Sequence, residues 1–342
     1  MAVPPLAGKV LDPVSLALYG FMGSAILLQG HRLGVFQALA SADVDPGADA
    51  LAQTLTLDGS TLERFLRGAV AWGLVEEQAG GYRLSTSARG ALDPQSSQYL
   101  GPLLEHFDSN TLPLFRHLGD AVGSGQAQWS KLAQDASAPF DYLLAEDRGA
   151  AFHDAMWNLS REPSAELVKL GVLGDASSLV DLGGGIGTFA IAAAQQHAEL
   201  RAVVFDLPAV EPHCLARISG VGLASRVSFA PGDFWSGELP HADAYSLGFI
   251  LSDWNDEQSL QLLRRVRQTL NPGGRVLVLD RLLEASGAEP FAAVMQDLAM
   301  LLETGGQHRT SAQFQALLHE AGFTRTQVIR SSGEKHAVIG YL

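Results

Sequence analysis

Leu179-Val-Asp-Leu-Gly-Gly-Gly-Ile-Gly-Thr-Phe189 is a short apolar run that breaks into glycines and resumes as a helical pattern from Phe189 to Gln196. Val203-Val-Phe-Asp-Leu-Pro208 follows, a second apolar run that closes on an acid, Asp206. Short Val/Leu runs bounded by glycine or proline read as buried strands. A glycine turn at a strand's carboxyl end lets a ligand approach the backbone, because no Cβ stands in the way. An acid closing the next strand suits a ribose diol. The pair of features points to a nucleoside-bearing ligand at the end of a parallel sheet.

A nicotinamide or flavin site would carry G-x-G-x-x-G. Gly183 and Gly185 fit its first two glycines, but the third position is Thr188 and the glycine falls at Gly187. The result is Asp181-x-Gly-x-Gly-x-Gly. That spacing resembles the S-adenosylmethionine (SAM) site of class I methyltransferases, which implies that the turn faces the methionine end of the cofactor and needs no pyrophosphate cradle. The turn alone leaves a dinucleotide site and a ligand-free turn open.

The chain has 342 residues, 47% hydrophobic and 18% charged, enough for two domains with real cores. Its net charge of −14 argues against a general affinity for phosphate backbones. One cysteine, Cys214, excludes an intramolecular disulfide framework and a cysteine-cluster metal site. The start, Met1-Ala-Val-Pro-Pro-Leu-Ala-Gly-Lys9, has no basic segment followed by an apolar core and cleavage site. No uninterrupted apolar run reaches membrane-spanning length. The expectation is a cytoplasmic protein with no membrane partner and no metal.

Composition changes near residue 165. Before it, helical periodicity prevails: a helix through Tyr19, Phe21, Met22 and Ile26 toward His31, a short one through Leu33 to Leu39, then Asp49–Leu55, a turn at Asp58-Gly-Ser60, and Thr61–Gly73 with Ser60 as its N-cap. Leu74–Glu77 and Tyr82–Ser85 flank Gly80-Gly81 as a small hairpin, so the module reads as a winged helix-turn-helix. That invites a DNA-binding regulator as the reading from another class. The recognition helix would carry Glu63, Arg64 and Arg67, a mixed charge that makes a poor phosphate-seeking face. An apolar amino-terminal helix pair is better explained as a surface buried by a second copy of the chain.

Helices are further expected at 102–118, 140–144 and 149–159, separated by a glycine-rich loop near Gly123-Ser-Gly125. They carry His106, Tyr142, Phe152, His153, Met156 and Trp157, which with Met300 are candidates to wall a pocket for a small flat acceptor. Beyond 165, strands alternate with helices: strands 179–182, 202–206, 226–230, 243–249 and 275–281, helices 187–197, 209–218, 256–270, 291–302 and 311–321, and a closing antiparallel pair at 325–330 and 336–342. This alternation predicts an α/β fold with a mostly parallel, Rossmann-like sheet. The expected domains are 1–100, helical and winged-helix, for dimerisation; 101–165, a helical linker forming part of the acceptor pocket; and 166–342, for SAM.

Further motifs are Gly232-Asp-Phe-Trp235, Ile250-Leu-Ser-Asp-Trp-Asn-Asp-Glu257, Leu270-Asn-Pro-Gly-Gly-Arg-Val-Leu-Val278 and Gly305-Gly-Gln-His-Arg-Thr310. With the winged-helix half, they make nearly the whole chain resemble the plant-type and bacterial antibiotic-pathway O-methyltransferases, a family that includes caffeate, acetylserotonin, anthracycline and phenazine enzymes. The resemblance implies a homodimer in which the amino-terminal region closes the partner's site. It implies that Asp181, Gly183, Gly185 and Gly187 line the methionine end of SAM, that Asp206 and Leu207 meet the ribose, and that Asp233 and Phe234 flank the adenine. Asp253 and Trp254 fall near the sulfonium, which favours carboxylates and aromatic faces.

One departure decides the chemistry. Most relatives have Leu-His-Asp-Trp where this chain has Leu251-Ser-Asp-Trp254, and that His removes the acceptor's proton; Ser252 cannot act as a base near neutral pH. The two carboxylates that usually steer the His match Asp280 and His308, so an imidazole is present but displaced. Phenazine methyltransferases resemble the chain here. A histidine titrates near neutrality and can serve as base where geometry allows. Three readings stay open. His308 or His153 takes the proton from an aromatic hydroxyl; or the acceptor needs no base and is a sulfur or carbon, as on a small carboxylic acid paired with Arg161, methylated by proximity; or SAM is bound for other chemistry.

Overall fold

The computed structural model describes residues 12–132, 138–144 and 149–342, with the side chains of 141 and 142 left aside. The chain divides into two compact units, Met1–Ser109 and Asn110–Leu342.

In the first unit, a helix at Pro13–Arg32 starts on Asp12, whose carboxylate accepts from the Val14 and Ser15 amides. Shorter helices follow at Val35–Ser41, Ala48–Leu55 and Gly59–Ala71. The last begins two residues before the expected start, because the cap is Asp58 and not Ser60: the Asp58 carboxylate accepts the Thr61 N–H at 2.9 Å and the Ser60 hydroxyl at 2.8 Å. A carboxylate is the stronger acceptor at a helix's positive end, so the serine becomes its donor. Strands β1 (Val75–Gln78) and β2 (Gly81–Leu84) pair antiparallel, completing the wing. Phe36, Leu39, Leu62, Leu66, Val75 and Leu84 are fully buried between these elements.

The first helix is different. Val14, Leu18, Phe21 and Met22 are exposed, Val14 by 76% and Phe21 by 60%. This 20-residue helix is also long and apolar enough to cross a membrane. Its last turns are nevertheless tied into the unit by polar contacts, Gln29 to Asp108 and His31 to Glu105 and Gln37.

The second unit is built on a seven-stranded sheet. Its strands are β3 (Ser178–Leu182), β4 (Arg201–Asp206), β5 (Val227–Pro231), β6 (Ala242–Gly248), β7 (Leu270–Asp280), β10 (Arg325–Ile329) and β11 (His336–Tyr341), in the order β10-β11-β7-β6-β3-β4-β5. The chain runs outward from β3 to β5, then crosses back to lay β6 on the other side of β3, all in parallel. The carboxyl ends of β3 and β6 are therefore a topological switch point, the crevice where open α/β sheets bind ligands. The closing pair β10–β11 is antiparallel, as the sequence suggests. Two cores cover the sheet's faces, one under the helices Gly149–Lys169 and Thr188–Gln196, the other under Asp256–Thr269 and Ser311–Glu320.

Helix bounds differ most in the middle of the chain. The helix expected at 102–118 runs without a break over 101–115, as Gly101–His106, a π-helical turn at Phe107–Thr111 and Leu112–Phe115, with Pro113 in the first turn of the last segment. The expected loop at 123–125 is the end of a helix, Leu118–Ser124, stopped by Gly125 at φ +66°. Conversely, the helix expected to end at Leu159 continues to Lys169 through Pro163, with Ser164, Leu167 and Val168 buried. Two short strands were not expected. β8 (Leu282–Leu283) and β9 (Arg309–Thr310) pair in parallel, Leu282 opposite Arg309 and Leu283 opposite Thr310.

Candidate active site

The glycine turn leaves β3 with Gly183, Gly185 and Gly187 at φ +64°, +55° and +80°, a region that costs other residues strain. At Gly183 a Cβ would lie 2.4 Å from Ile250 Cδ1, and at Gly184 2.8 Å from the Asp181 carboxylate; at Gly185 the space is open. Asp181 fastens this turn from beneath. Its carboxylate accepts the Ser246 hydroxyl of β6 at 2.6 Å and the Ala190 N–H of the following helix at 3.1 Å. Burial pushes its pKa up, against those two hydrogen bonds. Asp206 closes β4 and accepts the Gly185 and Leu207 N–H groups, both at 2.7 Å. Burial pushes Asp206 up to about 6. An ionised carboxylate offers about four lone-pair sites, so two remain for ligand hydroxyls.

After β5, Asp233 turns the chain by accepting the Trp235 N–H at 2.8 Å and the Ser236 hydroxyl at 3.0 Å. Phe234, Trp235 and Trp254 form a cluster of edge-to-face rings with centroids 4.9 to 6.2 Å apart. Phe234 also reaches back to the turn, its ring 3.6 Å from where a Gly183 Cβ would stand. An apolar wall therefore runs from the turn to Trp254, whose buried indole N–H has no hydrogen-bond partner among the described residues.

The Ser252 segment is held from one side. Ser252 is 1% exposed, and Gly306 packs on its backbone so closely that a Cβ there would lie 1.9 Å from the Ser252 carbonyl oxygen. Arg309, 1% exposed, donates from Nη1 to the Leu251 carbonyl at 2.7 Å and from Nη2 to the Trp254 carbonyl at 2.8 Å, while Nε reaches Asp256 at 2.8 Å. One planar fork thus fixes the segment. The β8–β9 bridge explains why Asp280 and His308 meet: each stands next to one of its strands. His308 Nδ1 lies 3.2 Å from Asp280 Oδ1, with both side chains buried. Neither ring nitrogen of His308, nor Asp280 Oδ2, has a hydrogen-bond partner among the described residues. Such groups are costly unless a ligand completes them. Asp253 adds a third acid: burial and the nearby Asp280 and Glu303 carboxylates push it well above the usual carboxylate range.

A glycine cradle, a half-satisfied acid at the end of β4, an aromatic wall and orphaned polar atoms at its far end fit a nucleoside with a charged tail. Comparisons with known proteins agree. Residues 115–324 match the O-methyltransferase domain model. The chain is 33% identical to mouse (Mus musculus) acetylserotonin O-methyltransferase over 336 residues, covering 94% of this chain and 86% of that protein. This chain belongs to the O-methyltransferase family.

A Streptomyces glaucescens relative, the tetracenomycin polyketide synthesis 8-O-methyl transferase, is 30% identical over 94% of this chain and 93% of its own. The human N-acetylserotonin methyltransferase, solved in complex with SAM, superposes with a TM-score of 0.87 at 27% identity, covering 98% of this chain and 99% of that one. The chain is a SAM-dependent methyltransferase with the class I fold expected from its sequence.

The methyltransferase places the expected pocket residues unevenly. His106 lies in the first unit at the end of the helix Gly101–His106, where burial pushes its imidazole down to about 4. Tyr142 belongs to the helix Pro139–Leu143, and its side chain lies outside the described residues. Phe152, Met156 and Met300 are half-buried. His153 and Trp157 turn toward the helix Glu211–Gly220: His153 lies 5.2 Å from the His213 ring, and Trp157 lies under the Arg217 guanidinium at 4.5 Å. Burial, with His213 adding to it, pushes His153 down to about 4. Two residues not singled out from sequence join the site. One is Arg309, inside a quoted motif. The other is Glu303, which accepts the Thr111 hydroxyl at 2.8 Å and is pushed up to about 7 by burial.

Proposed function

We propose that this methyltransferase methylates a hydroxyl of a small aromatic acceptor, and that His308, oriented by Asp280, takes the proton that the histidine missing at Ser252 would have taken. The observation that carries this reading is His308 itself, a buried imidazole beside a carboxylate with both nitrogens lacking a hydrogen-bond partner among the described residues. SAM, when bound, supplies an electrophilic methyl on a sulfonium. The residues would then act as follows. Asp206 accepts the ribose hydroxyls, Asp233 and Phe234 border the adenine, and Asp181 with Gly183, Gly185 and Gly187 shapes the methionine end. The charge of Asp280, 3.2 Å from Nδ1, would favour the proton on that nitrogen, leaving Nε2 to accept the acceptor's proton. On taking that proton His308 would become positively charged, and the Asp280 carboxylate 3.2 Å away would stabilise it. Met156, Met300 and Phe152 would wall the acceptor. The names of the relatives, an indole-derived and a polyketide substrate among them, support a planar acceptor.

We further propose a cytoplasmic homodimer joined through the first unit, with no role on DNA or in a membrane. The exposed row Val14, Leu18, Phe21 and Met22 lies on the same unit as a groove of 270 Å³ lined by Leu27, Trp72, Leu74 and Leu104, and clustered exposed apolar side chains of this kind mark an interaction surface. Arg67 stands beside Glu63, so that face of its helix carries mixed charge.

The test is S-adenosylhomocysteine formation with a panel of phenols, phenazines and thiols. His308→Gln and Asp280→Asn should each lower kcat on a hydroxyl acceptor by about 100-fold, the usual size of a lost acid–base group, with unchanged calorimetric affinity for S-adenosylhomocysteine. Full activity in His308→Gln would transfer the chemistry to the base-free alternative, methylation of sulfur or carbon.

A further inference from the structure

Lys335 is buried to within 3% of its surface in the turn that precedes β11, an unusual position for an ammonium. Its surroundings leave it half-satisfied. Nζ lies 3.4 Å from the Ser160 hydroxyl and 4.2 Å from the centre of the Phe249 ring, and no carboxylate among the described residues is close enough to form an ion pair with it. An ammonium has three donors, so at least one is left without a partner among the described residues. Asp181 and Asp280 attract it from farther away, and burial pushes it down to about 8.

The backbone makes room for this cation. At Gly248, the last residue of β6, a Cβ would stand 3.1 Å from Nζ. The next residue, Phe249, holds φ +57°, a conformation that a bulky side chain adopts at a cost. That turn lays its ring under Lys335 on one side and Arg281, 4.9 Å away, on the other. The ammonium thus stands at the carboxyl end of β6, next to β3 and its glycine turn, at the sheet's switch point. Asp181 and Asp280 lie near this point, and Lys335 is a buried cation there whose head group has no carboxylate in ion-pair contact among the described residues, whereas the buried Arg281 is paired with Glu334.

We propose that Lys335, with the Ser160 hydroxyl, binds the α-carboxylate of the cofactor's methionine part. The assignment rests on the turn Asp181–Gly187 facing that end of SAM. It deepens the cofactor site by giving the amino-acid tail a charged partner that the sequence motifs do not provide. Carboxylate binding would complete the donors left open on Nζ, and a charge-assisted bond inside a dry crevice is among the stronger polar contacts. The neighbouring Asp181 would repel the carboxylate, which is why a cation is needed there.

Titration calorimetry with three ligands tests this: S-adenosylhomocysteine, its decarboxylated analogue, which keeps the amine, and methylthioadenosine, which lacks both groups. The wild-type enzyme should bind S-adenosylhomocysteine at least ten-fold more tightly than the decarboxylated analogue. Lys335→Met should erase that difference, weakening S-adenosylhomocysteine ten-fold or more while moving the other two by less than two-fold. Equal affinity of the wild type for the first two ligands would overturn the proposal without needing any variant. Uniform weakening of all three ligands in Lys335→Met would also overturn it, making the lysine a counter-charge for Asp181 and Asp280. Failure of the wild type to bind even methylthioadenosine would overturn the cofactor site itself, and is told apart by that ligand.

Discussion

Arg309→Met removes the fork that holds the Ser252 segment, and its cost follows from the contacts. The guanidinium bonds to Leu251 and Trp254 reach carbonyls inside the protein, and hydrogen bonds to a charged group contribute about 1.5–3 kcal/mol each. The contact with Asp256 adds less than about 1 kcal/mol, since that carboxylate is 66% exposed. The expected loss is about 3–6 kcal/mol. For a unit of this size the melting midpoint falls by about 2–4 °C per kcal/mol, giving about 6–24 °C. Thermal melts followed by circular dichroism read the total. Amide hydrogen exchange reads its location: protection should be lost at 251–256 before it is lost in the helix Thr188–Gln196. Arg309→Lys should not rescue, because one ammonium cannot span both carbonyls. A midpoint within 3 °C of wild type in Arg309→Met would refute the reasoning, and uniform loss of protection would show that the segment is held by something else.

Gly306→Ala should be as damaging as a core overpacking change, about 1–3 kcal/mol or more, because its Cβ meets backbone that has no rotamer to change; a melt shows this, and kcat should fall with it. Affinity for S-adenosylhomocysteine should decline as pH drops through about 6. There Asp206 takes up a proton and loses acceptor capacity for the ribose, and calorimetry on Asp206→Asn should give a weak, pH-independent baseline over that window. Paired substitution Leu18→Glu and Phe21→Glu should yield monomers in sedimentation velocity, with the circular dichroism spectrum retained.

Much of the second unit could be read from the sequence because its strands are buried on both faces and so are spelled as plain Val/Leu/Ile runs. Asp206 and the turn at Gly183–Gly187 were legible for a related reason: a strand end and a positive φ leave few residue choices. The Asp280–His308 pairing could be reached only through family likeness, since the two-residue bridge that brings them together has no periodicity to detect. Arg309 was in view but silent, as an arginine in a polar run reads as solvated until the carbonyls it faces are placed. Lys335 gave no signal at all. It lies in Ser331-Ser-Gly-Glu-Lys335, which spells an exposed turn, and only the room left by Gly248 buries it. The helix expected at 149–159 runs on to Lys169, its added turns held by the buried Leu167 and Val168.

The bridge between Leu282–Leu283 and Arg309–Thr310 closes a ring of chain that contains the helix Phe291–Glu303. Both ends of that ring are clamped, and Asp280 and His308 sit at the clamp. The helix between is fastened at two points, Asp297 accepting the His308 N–H at 2.6 Å and Glu303 accepting the Thr111 hydroxyl at 2.8 Å. Its other positions are free of that task, and redirecting the enzyme to another acceptor can be attempted by changing them within 284–303 while Asp297 and Glu303 are kept.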